Sequence, residues 1–531
     1  MSHSVPGPAP ARRSVLRGSL AASSALALGG GIVGSAAPAL ALSGRPRAAW
    51  GVQTGDVTAS SGLVWVRSDR PARMIVETSA SESFRRTHRH YGPLLGPGSD
   101  FTGTTALRGL PAGEQIHYRV TLADPDDPRR TGERVVGTFR TAPDRRRDGV
   151  RFLWSGDIAG QGWGINPDIG GFRAFEEMRR LNPDFFLCSG DTIYADGPLQ
   201  PSVTLPDGRT WRNVTTPEKA KVAETLAEYR GQFRYNLLDH NVRAFNAQVP
   251  SIVQWDDHEV RNNWYPGQIL DDARYTEKNV DVLAARASRA FAEYFPVSTL
   301  HARGDGLSTE GRMHRVVRYG PLLDVFVLDM RSYRNANSPG RQADDTEGIL
   351  GAEQLAWLKR ELSRSRAVWK VLAADMPLGL VVPDGTNIEA IAQGDPGAPL
   401  GRELQIAELL RFVKHRRITG TLWLTADVHY TSAQHYAPER AAFKDFAPFW
   451  EFVSGPLAAG GFPANALDAT FGPERVFVRA PERANLSPME SPQYFGEVDI
   501  DGGSGELTVR LRAEGGTVLF SRVLQPGRVG Q

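Results

Sequence analysis

After Gly149 the sequence contains five short apolar runs, and each of them ends in an acidic residue or a histidine. Helical stretches separate the runs at residues 172–181, 217–248, 282–294, 352–364 and 404–416. The runs themselves cover residues 151–155, 184–188, 251–255, 322–328 and 422–425. Strands that alternate with helices predict a layered α/β domain, which we place at residues 149–525.

A different pattern precedes this region. Between Trp50 and Ala142 the chain contains short β-rich runs, at 63–67, 73–77, 117–121 and 135–139. Turn residues such as Pro111 and Gly113 interrupt them. This spacing predicts a small all-β antiparallel sandwich, which we place at residues 45–143, and the charged run at 144–148 is typical of a linker.

The first residues are typical of an export signal. Arg12 and Arg13 precede a stretch, residues 18–44, that lacks charge and is rich in Ala, Gly and Leu, and Ala39-Leu40-Ala41 is a cleavage-type sequence. These features predict a twin-arginine signal peptide over residues 1–42, recognised by the twin-arginine translocase, and a secreted or extracytoplasmic protein. A transmembrane anchor is the alternative, but Gly and Ser dilute the apolar run.

The remaining charges are nearly balanced. The whole chain carries 62 Lys and Arg against 60 Asp and Glu, and removal of the signal leaves 59 basic residues. A balanced chain has no global basic field, so we expect no nucleic-acid-binding surface. We expect the mature protein to be a monomer without a membrane span.

The single cysteine, Cys188, limits the chemistry of any site. One cysteine forms no intramolecular disulfide and no CxxC-type zinc or iron–sulfur site. Any metal must therefore be held by Asp, Glu, His, Tyr, Asn or water.

The five strand ends suggest where such a metal would bind. Ligands of α/β sheets gather beyond the carboxyl ends of strands. Asp157 and Asp191 supply hard oxygen ligands, Tyr194 follows Asp191 by three residues, and His429 and Asp427 follow the last strand. A bridging carboxylate, here Asp191, can hold two cations roughly 3.5–4 Å apart, the spacing used for in-line displacement at phosphorus. A single acidic strand end is usually a cap or turn, but five together predict a two-metal site.

Three motifs resemble a known family. Ser189-Gly-Asp-Thr-Ile-Tyr194, Trp255-Asp-Asp-His-Glu-Val-Arg-Asn-Asn-Trp264 and Thr425-Ala-Asp-Val-His429 closely resemble the PhoD-type alkaline phosphatases. Those enzymes are calcineurin-like metallophosphoesterases and are similar to purple acid phosphatases. The resemblance implies an α/β fold in which a layered β-sandwich is flanked by helices, with a fibronectin III-like all-β domain before it. It also implies a secreted, metal-dependent phosphoesterase acting on phosphate mono- and diesters, or alternatively a phospholipase D-like phosphodiesterase acting on phospholipids.

The family's roles carry over to individual positions. The resemblance implies six metal ligands, Asp157, Asp191, Tyr194, Asp257, Asp427 and His429. It makes Asp191 the bridging ligand, pairs Tyr194 and His429 on Fe(III), and assigns Asp257 and Asp427 to the second metal. It implies three residues that act on the substrate, His258 beside the leaving group and Asn263 and Arg331 at the phosphate.

One departure from the family pattern affects the metals. PhoD proteins commonly have a cysteine at the iron site where this chain has Asp157. The single cysteine of this chain, Cys188, instead precedes Asp191 on a predicted strand, so we interpret it as a buried core residue. Thiolate ligation of iron is then absent; Fe(III) is still expected at Tyr194, and the departure makes Mn or Zn an alternative there. The second, oxygen-rich site favours Ca, Mg or Mn over Zn; Ca is expected there, with Mn, Zn and Mg as alternatives.

Several alternatives stay open at this stage. Asp256 competes with its neighbour Asp257 as the ligand, and Asp375 and His435 are candidates for the surroundings of the metals. Arg331 could pair with Asp329 instead of binding phosphate. The loop at 158–170 has no assigned role, and leaving-group choice is expected to lie in loops 196–215 and 379–400.

The expected reaction is hydrolysis by metal-bound hydroxide. The hydroxide attacks phosphorus in line, Arg331 and the cations stabilise the charge on the phosphoryl oxygens, and His258 protonates the leaving oxygen. A non-catalytic binding protein of the same fold is the rival, but it predicts broken ligand positions, and all six ligands are present.

Overall fold

The computed structural model describes residues 44–145, 148–299, 312–344 and 348–527. The predicted signal peptide, residues 1–42, lies outside this part of the chain. None of the helices in the described residues is both long enough and apolar enough to cross a membrane.

The described residues form six α-helices and 26 strands. The helices are α1 (Arg173–Arg180), α2 (Leu226–Asn236), α3 (His240–Asn246), α4 (Val280–Tyr294), α5 (Ala352–Arg364) and α6 (Glu403–His415). The first seven strands are β1 (Val52–Gly55), β2 (Ser61–Arg67), β3 (Ala72–Ser79), β4 (His88–Leu95), β5 (Thr102–Arg108), β6 (Gln115–Ala123) and β7 (Val135–Arg140). The next eight are β8 (Val150–Ser155), β9 (Phe185–Ser189), β10 (Ser202–Thr204), β11 (Thr210–Arg212), β12 (Ser251–Gln254), β13 (Arg315–Tyr319), β14 (Leu323–Val327) and β15 (Trp369–Ala373). The last eleven are β16 (Leu380–Val381), β17 (Pro383–Asp384), β18 (Asn387–Ile388), β19 (Thr421–Thr425), β20 (Thr431–Tyr436), β21 (Phe449–Val453), β22 (Ala466–Leu467), β23 (Pro473–Arg479), β24 (Tyr494–Ile500), β25 (Leu507–Ala513) and β26 (Val518–Leu524).

Two large sheets form the centre of the fold. One has nine strands in the order β26-β25-β24-β8-β9-β12-β1-β2-β5, and the other has seven in the order β13-β14-β15-β19-β21-β20-β23. Side chains such as Phe152, Leu187 and Val371 pack between the two sheets. Helices α1–α4 cover the outer face of the first sheet and α5 and α6 cover that of the second. The expected layered β-sandwich flanked by helices is therefore confirmed, and strands buried on both faces explain the continuous apolar runs.

Parallel pairing brings the acidic strand ends together. In the first sheet β8 pairs with β9 and β9 with β12, and in the second β14 pairs with β15 and β15 with β19, all in parallel. Parallel neighbours end at the same edge, so the turns after these six strands adjoin one another. The strand β15, which Asp375 follows, lies between β14 and β19 in the second sheet.

The N-terminal all-β region shares a sheet with the rest of the molecule. Its strands β4, β3, β6 and β7 form one sheet, while β1, β2 and β5 extend the nine-stranded sheet through the pairing of Gly55 with Ser251. A Cβ on Gly55 would lie 2.5 Å from the carbonyl oxygen of Pro296, so only glycine fits this junction. The expected sandwich is present, and one of its two sheets continues into the α/β region.

The helix expected at residues 217–248 is two separate helices. Thr225 caps α2 in a capping box with Glu228, and Asp239 begins α3 by accepting the backbone N–H groups of Asn241 and Val242. A residue with this capping geometry starts a new helix, and the apolar pattern alone does not show it. The single long helix was therefore wrong.

Candidate metal centre

The turns that carry the predicted site residues have an unusual backbone conformation. Asp157, Asp191, Asn263, Asp427 and His429 all have positive φ, between 46° and 67°. Residues with a Cβ rarely adopt this left-handed conformation, which costs about 1–3 kcal/mol each, and such residues cluster at functional sites. The sharp turn after each strand directs these side chains to the shared edge of the two sheets.

The first ligand group contains Asp157, Asp191 and His429. One ligand atom from each lies within 4.8 Å of the others. Nδ1 of His429 donates to the carbonyl oxygen of Gly460 at 2.5 Å, so the lone pair of Nε2 faces the group. The hydroxyl of Tyr194 lies 2.8 Å from this Nε2. Burial lowers the pKa of His429 to about 4, which keeps the imidazole neutral as a metal ligand requires.

The second group contains Asp191, Asp257 and His258. Asp191 belongs to both groups, which is the position expected of a bridging ligand. Asp427 lies at the same cleft, with Oδ1 3.4 Å from Nη2 of Arg331. Of the two adjacent candidates it is Asp257 that joins the group, because Asp256 points away and accepts from Nε of Arg331.

Arg331 lies behind the carboxylates instead of in the cleft. The residue is fully buried, and Nε is 3.2 Å from Oδ2 of Asp375. Its other nitrogens lie 3.3 Å from Glu389, 3.4 Å from Asp427 and 3.6 Å from Asp257. Only its backbone N–H donates to Asp329, so the proposed side-chain pairing with Asp329 is not formed. Arg331 is absent from the described residues that line the cleft.

The charges of this region fit bound cations. Burial and mutual repulsion raise the pKa values of Asp157, Asp191, Asp256 and Asp427 well above the usual range. Oδ2 of Asp157 is buried and has no hydrogen-bond partner among the described residues. Buried carboxylates need a counter-charge, and a set of carboxylate oxygens with one phenol and one imidazole is a suitable donor set for two metals.

His258 is held by an acid that the sequence analysis did not identify. Nδ1 of His258 lies 2.6 Å from Oδ1 of Asp196, and its ring centre is 4.2 Å from that of Tyr194. Burial alone would lower the pKa of His258, but the carboxylates of Asp196 and Asp257 raise it to about 10. The ring lines the cleft beside Asp191 and Asp257.

Glu259 is a second residue that the sequence analysis missed. Its carboxylate accepts backbone N–H groups from Asp191 at 3.2 Å, Thr192 at 2.6 Å and Asp256 at 2.7 Å. It therefore ties the turn after β9 to the turn after β12. Asp196 lies two residues after the first quoted motif, and Glu259 lies within the second. An acidic residue in or next to a motif was the signal that could have identified both.

The cleft is lined by acidic and apolar residues, and its volume is about 290 Å³. The acidic residues are Asp191, Asp257, Glu389 and Asp427. The other lining residues are Gln161, His258, Asn262, Val382, Pro383, Val428, His429, Phe462, Pro463 and Asn465. Loop 379–400 thus reaches the cleft, and the 158–170 loop contributes Gln161. Within the described chain, loop 196–215 contributes none of the lining.

The remaining residues considered in the sequence analysis differ in how deeply they are buried. The backbone N–H of Asn263 donates to Asp257, and its side-chain Oδ1 is buried without a partner among the described residues. Asp375 is buried beside Arg331. His435 packs on Trp450 with ring centres 4.8 Å apart, in a surface groove outside both ligand groups. Cys188 is buried in the apolar core, where burial raises the pKa of its thiol.

Comparisons with known proteins agree with this geometry. The sequence model of the PhoD-like phosphatase family matches residues 152–511, and that of the PhoD-like phosphatase N-terminal domain matches residues 35–143. Alkaline phosphatase D of Bacillus subtilis (strain 168) is 27% identical over 434 residues, which cover 77% of this chain and 69% of the relative.

Two solved structures share the fold. A structure of PhoD superposes with a TM-score of 0.68 at 20% identity, covering 91% of this chain and 90% of the other. A purple acid phosphatase, PPD1 from yellow lupin (Lupinus luteus) seeds, superposes with a TM-score of 0.52 at 12% identity, covering 91% of this chain and 74% of the other. Because the family model spans well over half of the sequence, the chain belongs to the PhoD-like phosphatase family, as its motifs indicated, and is a phosphoesterase.

Proposed function

We propose that this phosphoesterase hydrolyses phosphate mono- and diesters in the cleft that is lined by His258 and by members of both ligand groups. The observation that carries the proposal is the position of Asp191, which belongs to both groups. A carboxylate shared by two cation positions, with a proton donor on one side, is the arrangement used for in-line displacement at phosphorus.

The donor atoms suggest which metals bind. Asp157, Asp191, Tyr194 and His429 would hold Fe(III), because phenol and carboxylate oxygens are hard ligands, and Mn or Zn is the alternative there. Asp191, Asp257 and Asp427 would hold an oxygen-preferring ion such as Ca, with Mn, Zn or Mg as alternatives. A metal pair supplies Lewis acidity toward the phosphoryl oxygens and lowers the pKa of water.

Individual residues of the chain have different proposed roles in the reaction. His258 donates a proton from Nε2 to the leaving oxygen, and Asp196 holds the ring through Nδ1. Asn263 is the proposed contact of the substrate phosphate. The same contact expected for Arg331 is not retained, because this buried side chain lies behind the cleft and compensates the charge of the carboxylates that surround it. Glu259 holds the two strand-end turns at a constant separation.

A phospholipase D-like activity is the second candidate. Val382, Pro383, Phe462 and Pro463 are apolar residues in the lining of the cleft. Apolar lining accommodates a large apolar substituent on the phosphate, which a phospholipid has and inorganic or sugar phosphates lack.

We also propose how the protein is exported and how its chain divides into domains. Residues 1–42 would direct the folded protein through the twin-arginine translocase, and the mature chain would act as an extracytoplasmic monomer. Residues 45–143 and 149–525 would be its all-β and catalytic domains. Proteolytic mapping of the mature N-terminus tests the signal peptide.

Metal analysis of purified protein, combined with three assays, tests the function. The substrates are a nitrophenyl monoester, a bis-nitrophenyl diester and phosphatidylcholine vesicles. We expect about two metals per chain and hydrolysis of the mono- and diester; hydrolysis of the phospholipid in preference to both would favour the phospholipase. Fully metallated protein that hydrolyses none of the three would refute the proposed function.

A further inference from the structure

A β-bulge turns two apolar side chains outward at the edge of the N-terminal sheet. Arg73 pairs with Leu94 and Ile75 with Tyr91, so two residues of β3 span the same distance as three residues of β4. Tyr91 and Leu94, three apart, therefore lie on the same outer face, while Leu95 points into the core. Tyr91 is 67% exposed and Leu94 is 55% exposed. Bulges commonly redirect side chains in this way.

Tyr91 and Leu94 do not have the properties of residues that protect a sheet edge. β4 is the terminal strand of its sheet, and edge strands usually carry charged residues and proline to prevent pairing with other chains. Arg89 and Pro93 fit that purpose. Two large, exposed apolar side chains promote association instead of preventing it, so the face has the properties of a docking surface.

Exposed arginines lie on the same hairpin as the apolar pair, and its turn also contains one exposed acid, Glu82. Arg73 lies beside Leu94 on the neighbouring strand, and the exposed Arg85 and Arg86 lie in the turn between the strands. None of these three forms an ion pair with a described residue. Arg89 shares Glu77, at 3.0 Å, with Arg119. We call this surface the hairpin face, and its members are Arg73, Arg85, Arg86, Arg89, Tyr91 and Leu94.

The basic charge is a property of the whole N-terminal region. Residues 45–143 carry 14 Lys and Arg against 10 Asp and Glu, whereas residues 144–531 carry 45 against 50. The near-neutral net charge of the whole chain is therefore the sum of a basic N-terminal region and an acidic remainder. A partner of this face is expected to be anionic.

We propose that the hairpin face binds an anionic phospholipid surface. Arginines are attracted to acidic headgroups, and tyrosine and leucine insert their apolar parts at the interface between headgroups and acyl chains. A soluble polyanion would use the arginines but would gain nothing from Leu94. The inference rests on the hairpin face alone and does not depend on which ester the cleft hydrolyses.

Co-sedimentation of the mature protein, without the predicted signal at residues 1–42, with vesicles tests the proposal. We expect binding to vesicles of phosphatidylcholine with phosphatidylglycerol, weak binding to phosphatidylcholine alone, and a loss of binding at high salt. The double variant Arg85→Glu/Arg86→Glu should lower the partition coefficient at least about tenfold, because each basic residue near the surface contributes several-fold. Tyr91→Ser/Leu94→Ser should also lower it several-fold.

Two matched double variants serve as controls. Arg416→Glu/Arg417→Glu makes the same charge change beyond α6, and Val518→Ser/Val523→Ser removes two other exposed apolar side chains. Both should bind anionic vesicles like the unaltered protein. Unchanged hydrolysis of a soluble nitrophenyl ester by all four variants shows that each one is folded.

Four results would overturn the proposal. The first is failure of the unaltered protein to bind anionic vesicles, and the second is an equal loss of binding in the charge-matched control. The third is binding to soluble polyphosphate without binding to vesicles. The fourth is dimerisation, seen by sedimentation velocity, that Tyr91→Ser/Leu94→Ser abolishes while vesicle binding is absent.

Discussion

Asp196 accepts a hydrogen bond from Nδ1 of His258 at 2.6 Å, and its second oxygen accepts the backbone N–H of Asn262 at 2.9 Å. The acid therefore fixes both the orientation of the ring and the nitrogen that carries its proton. Nε2, the nitrogen on the far side, is left to act in the cleft.

Asp196→Asn should lower kcat about 10- to 100-fold, because an amide no longer stabilises the charged imidazole or holds its orientation. We expect KM and metal content to change little. Steady-state kinetics and elemental analysis on the same preparation measure both. A parallel fall in bound metal would make Asp196 a structural residue of the metal centre instead.

His258→Ala should lower kcat by roughly 10² to 10⁴, the usual contribution of a general acid. The loss should be smaller for a nitrophenyl ester than for an alkyl ester, because nitrophenolate leaves without protonation. Measurement of both substrates at equal metal content tests this. An equal loss for both substrates would argue against proton donation by His258.

Asp191→Asn should remove metal and activity together, because the carboxylate is shared by both ligand groups. Elemental analysis is expected to show loss at both positions. Asp445→Asn is the control, since that carboxylate lies at the surface beside Lys414. An active, fully metallated Asp191→Asn protein would contradict the two-metal site.

Arg331→Met should lower the free energy of unfolding by about 3–5 kcal/mol, since it leaves buried carboxylates without their cation. Urea denaturation measures the change, and added divalent metal should recover part of it. Arg331→Lys, which keeps the charge, should be less destabilised. If Arg331→Met instead kept full stability and only raised KM, the residue would act mainly on the substrate.

Glu403, at the start of α6, should make stability depend on pH. Burial, followed by the nearby charge of Asp468, raises the pKa of Glu403 from 4.5 to about 8. The folded protein then holds a proton that the unfolded chain releases above about pH 4.5. Stability from this group is present below that pH and is lost as the pH rises toward 8, at about 1.4 kcal/mol per unit.

Glu403→Gln should therefore flatten the stability profile between pH 4.5 and 8 and make the protein more stable at pH 8. The amide oxygen can still accept the backbone N–H of Leu400, which donates to Glu403 at 3.1 Å. Denaturant midpoints across this range measure the effect. Glu408→Gln, at an exposed position of the same helix, is the control and should leave the slope unchanged. Parallel profiles for Glu403→Gln and the unaltered protein would disprove the assignment.

Local patterns in the sequence predicted the apolar strands, the layered α/β class and the acidic strand ends that meet at the candidate metal centre. Asp157, Asp191 and Asp427 could be found because each follows an apolar run directly, and strand ends of a parallel sheet share one edge. Such features are local in sequence, and local patterns report whether a segment is buried and where it turns.

The folded structure was needed to see how distant segments meet. It separated Asp257 from Asp256, surrounded Arg331 with carboxylates, paired Asp196 with His258, and joined β1 to β12. It also revealed the bulge that exposes Tyr91 and Leu94. The physical reason is that strand register and side-chain direction follow from packing between segments far apart in the chain, and periodicity within one segment contains no information about its partner.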